Sequence, residues 1–455
     1  MKNLNQYINI LKSDPIARGS AILFVGSFVV NIFSYIYNLI IGRMLGPVLY
    51  GEYLSLITIV YLVSIPFGTV QTIVIKYVSQ LNSQNESQKI KILLIMLTKY
   101  ITIFASIVSI VLILTTPVIS NFLKIDDIPA IVLMGITFTA FTVPTVLVSA
   151  FNGLERFLEG TVINGVALIF RIVMSILAIG LGFGVGGVFG ALIVGSMFGY
   201  GLLWYYLNKY LDSASHKRNL ITKINSFFRR LAAGTTNEIT SLKEDIIKFT
   251  IPAVISTIGI AAITQVDIIF AKAFFSPEDA GIYSSLAIIG KVIPFFTIPL
   301  LTALFPQLVA KVTRKENFLK PFYAILGIIT VASLCLSIFY FIFPEFIINM
   351  FFGKQYMNAV PYIGLFGLFQ TVYAIMNAYV NFFLAIGKNK LAAQAIVAVI
   401  LQSFLIMIFH KSLYDLILVS LCVCALFTIY YSVCTLQLAY NTKKISHEPI
   451  KKNII

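Results

Sequence analysis

Three charged side chains lie deep inside apolar stretches of the sequence, where burying a charge costs free energy. Arg171 follows Asn164 by seven residues and precedes Ser175 by four, so the three share one helix face. Lys291 lies about as deep in a later stretch, and Asp267 is the one carboxylate well inside an apolar segment. A cation facing lipid at the bilayer centre costs about 2.5 to 3.5 kcal/mol, so these groups should face protein or a wet cavity.

The sign of this buried charge indicates the chemistry of a ligand. Arg171 and Lys291 leave a cationic interior that suits a pyrophosphate, which Arg grips through paired donors and Lys binds as a point charge. A site for cationic drugs would need acidic residues instead. We therefore take Arg171 and Lys291 as candidate substrate-binding residues, and Asp267 as a candidate for coupling to a proton or Na⁺.

Each of these residues also has a purely structural interpretation. Arg171 and Lys291 can be buried cations that only lock helices together, held by ion pairs or by backbone carbonyls. Asp267 can merely pair with Lys272, Arg171 or Lys291. The sequence leaves both interpretations open.

No enzyme signature is found in the sequence. The stretch from Gly182 to Gly187 matches G-x-G-x-x-G, but it lies between two apolar helices without the strand and acidic residue of a nucleotide site. Gly195 and Gly199 are typical of a close-packing helix face. The three histidines form no cluster, the four cysteines lie in apolar stretches, and no Walker A motif is present. We predict no catalytic residue, no cofactor and no metal site.

Composition places the chain in a membrane. Of 455 residues, 59% are apolar and only 11% are charged, with a mean hydropathy of +0.93. These values exclude an ordinary soluble protein, and the net charge of +15 does not indicate nucleic acid in such a chain. Apolar segments of spanning length are predicted at 19–42, 53–75, 93–115, 129–150, 161–182, 186–208, 249–271, 281–306, 321–344, 360–383, 391–409 and 414–440.

The basic residues between these segments predict the topology. With both termini in the cytosol, 24 Lys and Arg residues lie in inside segments and five in outside loops. The chain is then a multi-pass cell-membrane protein with a lobe over 1–208, a basic cytosolic linker over 209–247, a second lobe over 248–440 and a basic tail over 441–455. Leu220, Ile224, Phe227, Phe228 and Leu231 predict an amphipathic helix in the linker, with a disordered linker as the alternative.

The two halves of the sequence repeat each other. Gly51-Glu52-Tyr53 matches Gly281-Ile282-Tyr283, and Ile65-Pro66-Phe67 matches Ile293-Pro294-Phe295, both at an offset of about 230 residues. This offset spans six segments, an even number, so both halves have the same orientation. The predicted fold is an all-α membrane protein of about twelve transmembrane helices, in two six-helix lobes related by a pseudo-two-fold axis along the membrane normal.

Two stretches resemble a known family. The run from Gly42 through Pro47 to Tyr53 is similar to the hallmark after the first helix of polysaccharide repeat-unit flippases of the O-antigen type. The stretches Val266 to Tyr283 and Leu304-Phe305-Pro306 resemble their seventh and eighth helices. This resemblance implies the multidrug/oligosaccharidyl-lipid/polysaccharide exporter superfamily. It also implies alternating access between the lobes, with a polyprenyl pyrophosphate-linked oligosaccharide moved from the inner to the outer leaflet.

The expected partners are that lipid-linked oligosaccharide, the membrane lipids and a proton or Na⁺, with no nucleic acid; a glycosyltransferase or polymerase is compatible with the resemblance. Two alternatives share the fold, namely a lipid II flippase and an ion-coupled multidrug antiporter. A polytopic polysaccharide polymerase or ligase is the alternative of another class, although the short outer loops count against it.

Overall fold

The computed structural model describes residues 15–84, 86–213, 237–314 and 316–447. The chain divides into two compact units, residues 1–241 and 242–455, which we call the N-lobe and the C-lobe. The amphipathic helix predicted from Leu220 to Leu231 lies outside the described residues.

The N-lobe is built from helices of strongly apolar sequence. They are α1 (Pro15–Ser64), a 3₁₀ turn (Ile65–Phe67), α2 (Gly68–Ser83), α3 (Ser87–Leu114), α4 (Thr116–Leu123), α5 (Ile128–Gly153), α6 (Phe157–Gly180) and α7 (Gly184–Ser213). The C-lobe consists of α8 (Asn237–Phe274), α9 (Pro277–Gly290), α10 (Val292–Thr313), α11 (Leu319–Ile342), α12 (Pro344–Phe351), a 3₁₀ turn (Lys354–Ala359), α13 (Val360–Ala385), α14 (Asn389–Ala392), α15 (Ala395–Ile408) and α16 (Leu413–His447).

Eleven stretches of the described residues are long and apolar enough to cross a membrane. The first, Phe28–Phe67, has 40 residues, which is about twice the length that a bilayer core requires. It is bent at Gly46, whose φ of 72° is in the left-handed region that favours glycine, and Pro47 begins the next helical turn. Division at Gly46 gives twelve crossings, six in each lobe. The loop predicted between the first two segments is therefore a kink of one residue.

The helix boundaries repeat between the lobes. The short helices α4 and α12 both have eight residues and both follow the third crossing of their lobe. In each lobe the fourth crossing, α5 or α13, packs against the third and the sixth. The repeat seen in the sequence is therefore a repeat of helices and of their packing within each lobe.

The second crossing of each lobe is interrupted at the repeated Ile-Pro-Phe motif. In the N-lobe the interruption is the 3₁₀ turn Ile65–Phe67, and in the C-lobe α9 ends at Gly290 and α10 begins at Val292. Proline has no N–H to donate to the carbonyl four residues earlier, so the regular ladder is broken there. The spanning segment predicted over 281–306 is confirmed as part of the single span Pro277–Thr313, which is interrupted only at Lys291.

Candidate functional site

A polar cavity of about 390 Å³ lies inside the N-lobe. It is lined by the second, fourth, fifth and sixth crossings of that lobe. Its polar lining residues are Tyr61, Ser64, Gln71, Thr142, Thr145, Asn164, Arg171 and Ser196. None of the described residues that line it is acidic.

Arg171 supplies the positive charge of this cavity. Its Nε is buried and has no hydrogen-bond partner within the described part of the chain. Its guanidinium carbon lies 5.8 Å from the centre of the Phe141 ring, within range of a weak cation–π contact. A cation whose Nε has no partner, at the wall of a cavity of about 390 Å³, has a donor available for an anionic ligand.

The polar face predicted on the fifth crossing is divided between two environments. Asn164 and Arg171 both line the cavity. Ser175 is fully buried, and its hydroxyl lies 3.1 Å from that of Tyr37 in α1. The sequence identified the face, and the packing decides that only part of it reaches the cavity.

Two glycines of α7 make room for the fifth crossing. A Cβ atom at Gly195 would overlap the Arg171 side chain, and one at Gly199 would lie 2.7 Å from Cβ of Ala167. The close-packing face predicted for these glycines is therefore present, and Gly195 leaves the space through which the arginine side chain passes.

Irregular backbone borders the same cavity. Ser64, which precedes the 3₁₀ turn, and Phe67, which ends it, both line the cavity. Pro144, another lining residue, interrupts the backbone hydrogen bonds of α5. Non-helical backbone at membrane depth is tolerated where it is buried in protein or lines a polar cavity. Breaks of this kind are typical of binding sites in transporters.

Asp267 and Lys291 belong to the C-lobe, and neither is among the residues that line the N-lobe cavity. Asp267 is fully buried, and its carboxylate accepts hydrogen bonds from the Tyr283 hydroxyl at 2.8 Å and from the backbone N–H of Ile268 at 2.9 Å. Lys291, at the break between α9 and α10, donates to Oε1 of Gln265 at 3.3 Å. Neither residue forms an ion pair within the described residues.

The partner of Asp267 was missed in the sequence, although a signal was present. Tyr283 belongs to the repeated motif that contains Tyr53 in the N-lobe, and Asp267 corresponds by the same offset to Tyr37. Tyr37 and Tyr53 are both buried, and the Tyr37 hydroxyl lies 3.1 Å from that of Ser175. The first two crossings thus carry buried tyrosines at these positions in the N-lobe, and the hydrogen-bonded Asp267 and Tyr283 in the C-lobe.

Comparison with known proteins identifies the family. A model of the polysaccharide biosynthesis protein family matches residues 16–311. The chain belongs to this family. The resemblance seen in the sequence is thereby confirmed. No protein with a curated description matches the chain.

Solved structures share the fold of this polysaccharide biosynthesis protein. An inward-facing MATE multidrug resistance transporter of the MOP superfamily is 14% identical, covering 90% of this chain and 95% of its own, with a TM-score of 0.68. The lipid II flippase MurJ in an inward closed conformation is 14% identical over 90% of this chain and 87% of its own, with a TM-score of 0.64. A MOP transporter from Pyrococcus furiosus is 15% identical over 96% and 98%, with a TM-score of 0.60.

Proposed function

We propose that this protein translocates a polyprenyl pyrophosphate-linked oligosaccharide from the inner to the outer leaflet by alternating access, for the synthesis of a cell-surface polysaccharide. Its family and the lipid II flippase among its structural neighbours support a lipid-linked substrate. For the Pyrococcus furiosus neighbour, a binding pocket of reversed polarity suggests a different function, which supports the use of pocket charge to choose between ligands here.

The observation that carries this proposal is the unpaired Arg171 in a cavity without acidic lining. Its guanidinium can hold a phosphate through two parallel hydrogen bonds, while Gln71 and Asn164 offer further donors. We propose Lys291 as a second contact for the pyrophosphate, since its ammonium group has three donors and only one is used by Gln265.

Replacement of Arg171 tests the proposal. In vesicles containing undecaprenyl pyrophosphate-linked disaccharide, Arg171→Ala should reduce translocation at least about 100-fold, because a desolvated phosphate loses its charged partner. Arg171→Lys should retain part of the rate, since it keeps the charge and loses the paired donors. Lys311→Ala, which removes a surface cation, is the matched control and should be neutral. Normal translocation by a folded Arg171→Ala protein would refute the phosphate role.

The alternatives with the same fold predict different ligands. A lipid II flippase should prefer lipid II over other lipid-linked sugars, and a multidrug antiporter should bind organic cations such as tetraphenylphosphonium. The positive N-lobe cavity disfavours the antiporter, because a cation beside Arg171 would be repelled. The polymerase or ligase alternative is disfavoured, since the family and the structural neighbours are transporters and flippases.

We further propose that Asp267 couples transport to a proton or Na⁺. The favouring observation is the difference between the lobes. The N-lobe has the buried tyrosines Tyr37 and Tyr53 at the positions of Asp267 and Tyr283, so packing of the equivalent helices does not by itself require a carboxylate. A carboxylate in that position adds a group that can bind a cation.

Asp267→Asn separates coupling from structure. The amide oxygen can still accept from Tyr283, so the fold should survive, while cation binding is lost. We expect the variant to bind substrate normally and to lose the stimulation of transport by an imposed ion gradient. Tyr283→Phe, which removes the hydrogen bond but keeps the carboxylate, should retain the response to the gradient. An Asn variant with unchanged gradient dependence would exclude the coupling role.

A further inference from the structure

A groove of about 370 Å³ lies at the surface of the C-lobe between α10 and α13, where Thr302 and Pro306 are exposed. Leu301, Thr302, Phe305 and Pro306 line it from α10, and Asn377 and Asn381 line it from α13. It is separate from the N-lobe cavity and contains neither Lys291 nor Asp267. Nothing in the argument for the pyrophosphate uses it.

The two amides of the groove hold each other in place. Nδ2 of Asn381 donates to the backbone carbonyl and to Oδ1 of Asn377, both at 2.9 Å. This arrangement leaves Oδ1 of Asn381 as an acceptor and Nδ2 of Asn377 as a donor without a partner in the described residues. Because the residues are four apart on one helix, the free donor and acceptor are neighbours on the groove wall.

The opposite wall adds a third polar group. Pro306 cannot donate a backbone hydrogen bond to the Thr302 carbonyl four residues earlier. The Thr302 hydroxyl is itself used by the carbonyl of Ile298, at 2.9 Å. The groove therefore combines an amide donor, an amide acceptor and a carbonyl released from the helix ladder with the apolar surfaces of Leu301 and Phe305.

The equivalent positions in the N-lobe show that packing does not demand these amides. Thr145 and Ser149 lie at the same distance from the start of α5 as Asn377 and Asn381 from the start of α13. Both hydroxyls are used within the helix, since Thr145 donates to the Thr142 carbonyl and Ser149 to the Thr145 carbonyl. Each hydroxyl thus uses its single donor within the helix, whereas the C-lobe pair keeps an amide donor, Nδ2 of Asn377, without a partner in the described residues.

We propose that this groove binds a sugar of the lipid-linked oligosaccharide, with Asn377 and Asn381 contacting neighbouring hydroxyls. Sugar hydroxyls both donate and accept, which matches the free Nδ2 and Oδ1, and the C–H face of a sugar ring packs on Leu301 and Phe305. This inference rests on the proposed function and adds to it. Arg171 and Lys291 recognise the pyrophosphate, whereas the C-lobe groove distinguishes a glycosylated lipid from a bare one.

The test compares bare and glycosylated lipid on the purified full chain. The probes are undecaprenyl pyrophosphate without sugar and undecaprenyl pyrophosphate carrying N-acetylglucosamine, galactose or a disaccharide of these. We expect the wild type to bind at least one glycosylated probe about tenfold more tightly than the bare lipid, as expected for two hydrogen bonds. A wild type without any such preference would overturn the proposal.

Two double variants test whether Asn377 and Asn381 produce the preference for glycosylated lipid. Asn377→Thr combined with Asn381→Ser copies the N-lobe pair into α13, so the helix should fold. Asn377→Leu with Asn381→Leu instead keeps the branched shape of the side chains and removes their polar atoms. Either pair should abolish the preference and leave affinity for the bare lipid unchanged. A retained preference for the glycosylated lipid would overturn the inference. An equal loss of affinity for both lipids would also overturn it and would assign the groove to the polyprenyl chain. Arg171→Ala should weaken the binding of both the bare and the glycosylated lipid. Unchanged binding of both by this variant would refute the pyrophosphate role instead.

Discussion

At the scale of single residues, the position of the candidate ligand arginine depends on a glycine of another helix. Gly195 in α7 faces the Arg171 side chain so closely that any Cβ atom there would overlap it. Gly199 of the same helix lines the cavity, and Gly195 makes room for the arginine side chain that reaches it. The glycine contributes no chemistry, but it determines where the guanidinium can lie.

We predict that Gly195→Ala displaces Arg171. The added methyl would overlap Cγ of Arg171, so the side chain must leave its rotamer or the helices must separate, and this overpacking should cost about 1 to 3 kcal/mol. Translocation of the disaccharide lipid should fall towards the level of Arg171→Ala. Transport in vesicles and thermal unfolding in detergent measure the two effects.

Gly201→Ala is the control in the same helix. No atom lies within 4 Å of a Cβ atom built at Gly201, so the substitution should be neutral or stabilise the helix by up to about 1 kcal/mol. If both alanine variants behave alike, Gly195 does not position the arginine.

At the scale of elements, the interrupted second crossings are the features that a regular helix pattern does not reveal. The break at Ile65–Phe67 borders the N-lobe cavity, and the break between α9 and α10 contains Lys291. The C-lobe break is supported from α11, where the buried Tyr340 donates its hydroxyl to the Ile289 carbonyl at 2.9 Å.

Tyr340→Phe should therefore destabilise the C-lobe. It leaves the Ile289 carbonyl without that donor in a buried place, at a cost of about 1 to 3 kcal/mol. Thermal unfolding should show a lowered midpoint, and Lys291-dependent substrate binding should weaken as the break relaxes. Tyr100→Phe, at a residue that is 60% exposed, should leave both unchanged. An unaltered midpoint for Tyr340→Phe would show that the break is held by other contacts.

At the scale of the whole molecule, the number of crossings and the distribution of basic residues together predict the orientation of the chain in the membrane. An even number of crossings returns the chain to its starting side, and the 24 basic residues in the predicted inside segments predict that this side is the cytosol. The orientation of the termini remains a prediction from charge.

Cysteine labelling tests this orientation. In a variant lacking the four native cysteines, Ser87→Cys, Ser226→Cys and Ser446→Cys should react with an impermeant maleimide only after the cells are opened. Lys124→Cys, in a predicted outer loop, should react in intact cells. Outside labelling of any of the three serine positions would contradict the topology.

The sequence determined the membrane class, the number of crossings and the repeat. The bilayer thickness sets a minimum apolar length for each crossing, so these features are local and can be counted along the chain. The repeat could be recognised in the sequence because Gly281-Ile282-Tyr283 and Ile293-Pro294-Phe295 both lie at nearly the same offset from their N-lobe counterparts. The depth of Arg171 followed in the same way from its distance along an apolar segment.

Only the tertiary structure decided which polar residues act together. Gln71 lies on the second crossing, whereas Asn164 and Arg171 lie on different turns of the fifth. The rotation of each helix about its axis places the three in one cavity. The same packing assigns Tyr283 to Asp267 and leaves the amides of Asn377 and Asn381 open to a groove. The physical reason is that helices in a membrane are apolar on nearly every face, so their sequence pattern specifies burial in lipid but only weakly specifies which face meets which neighbour.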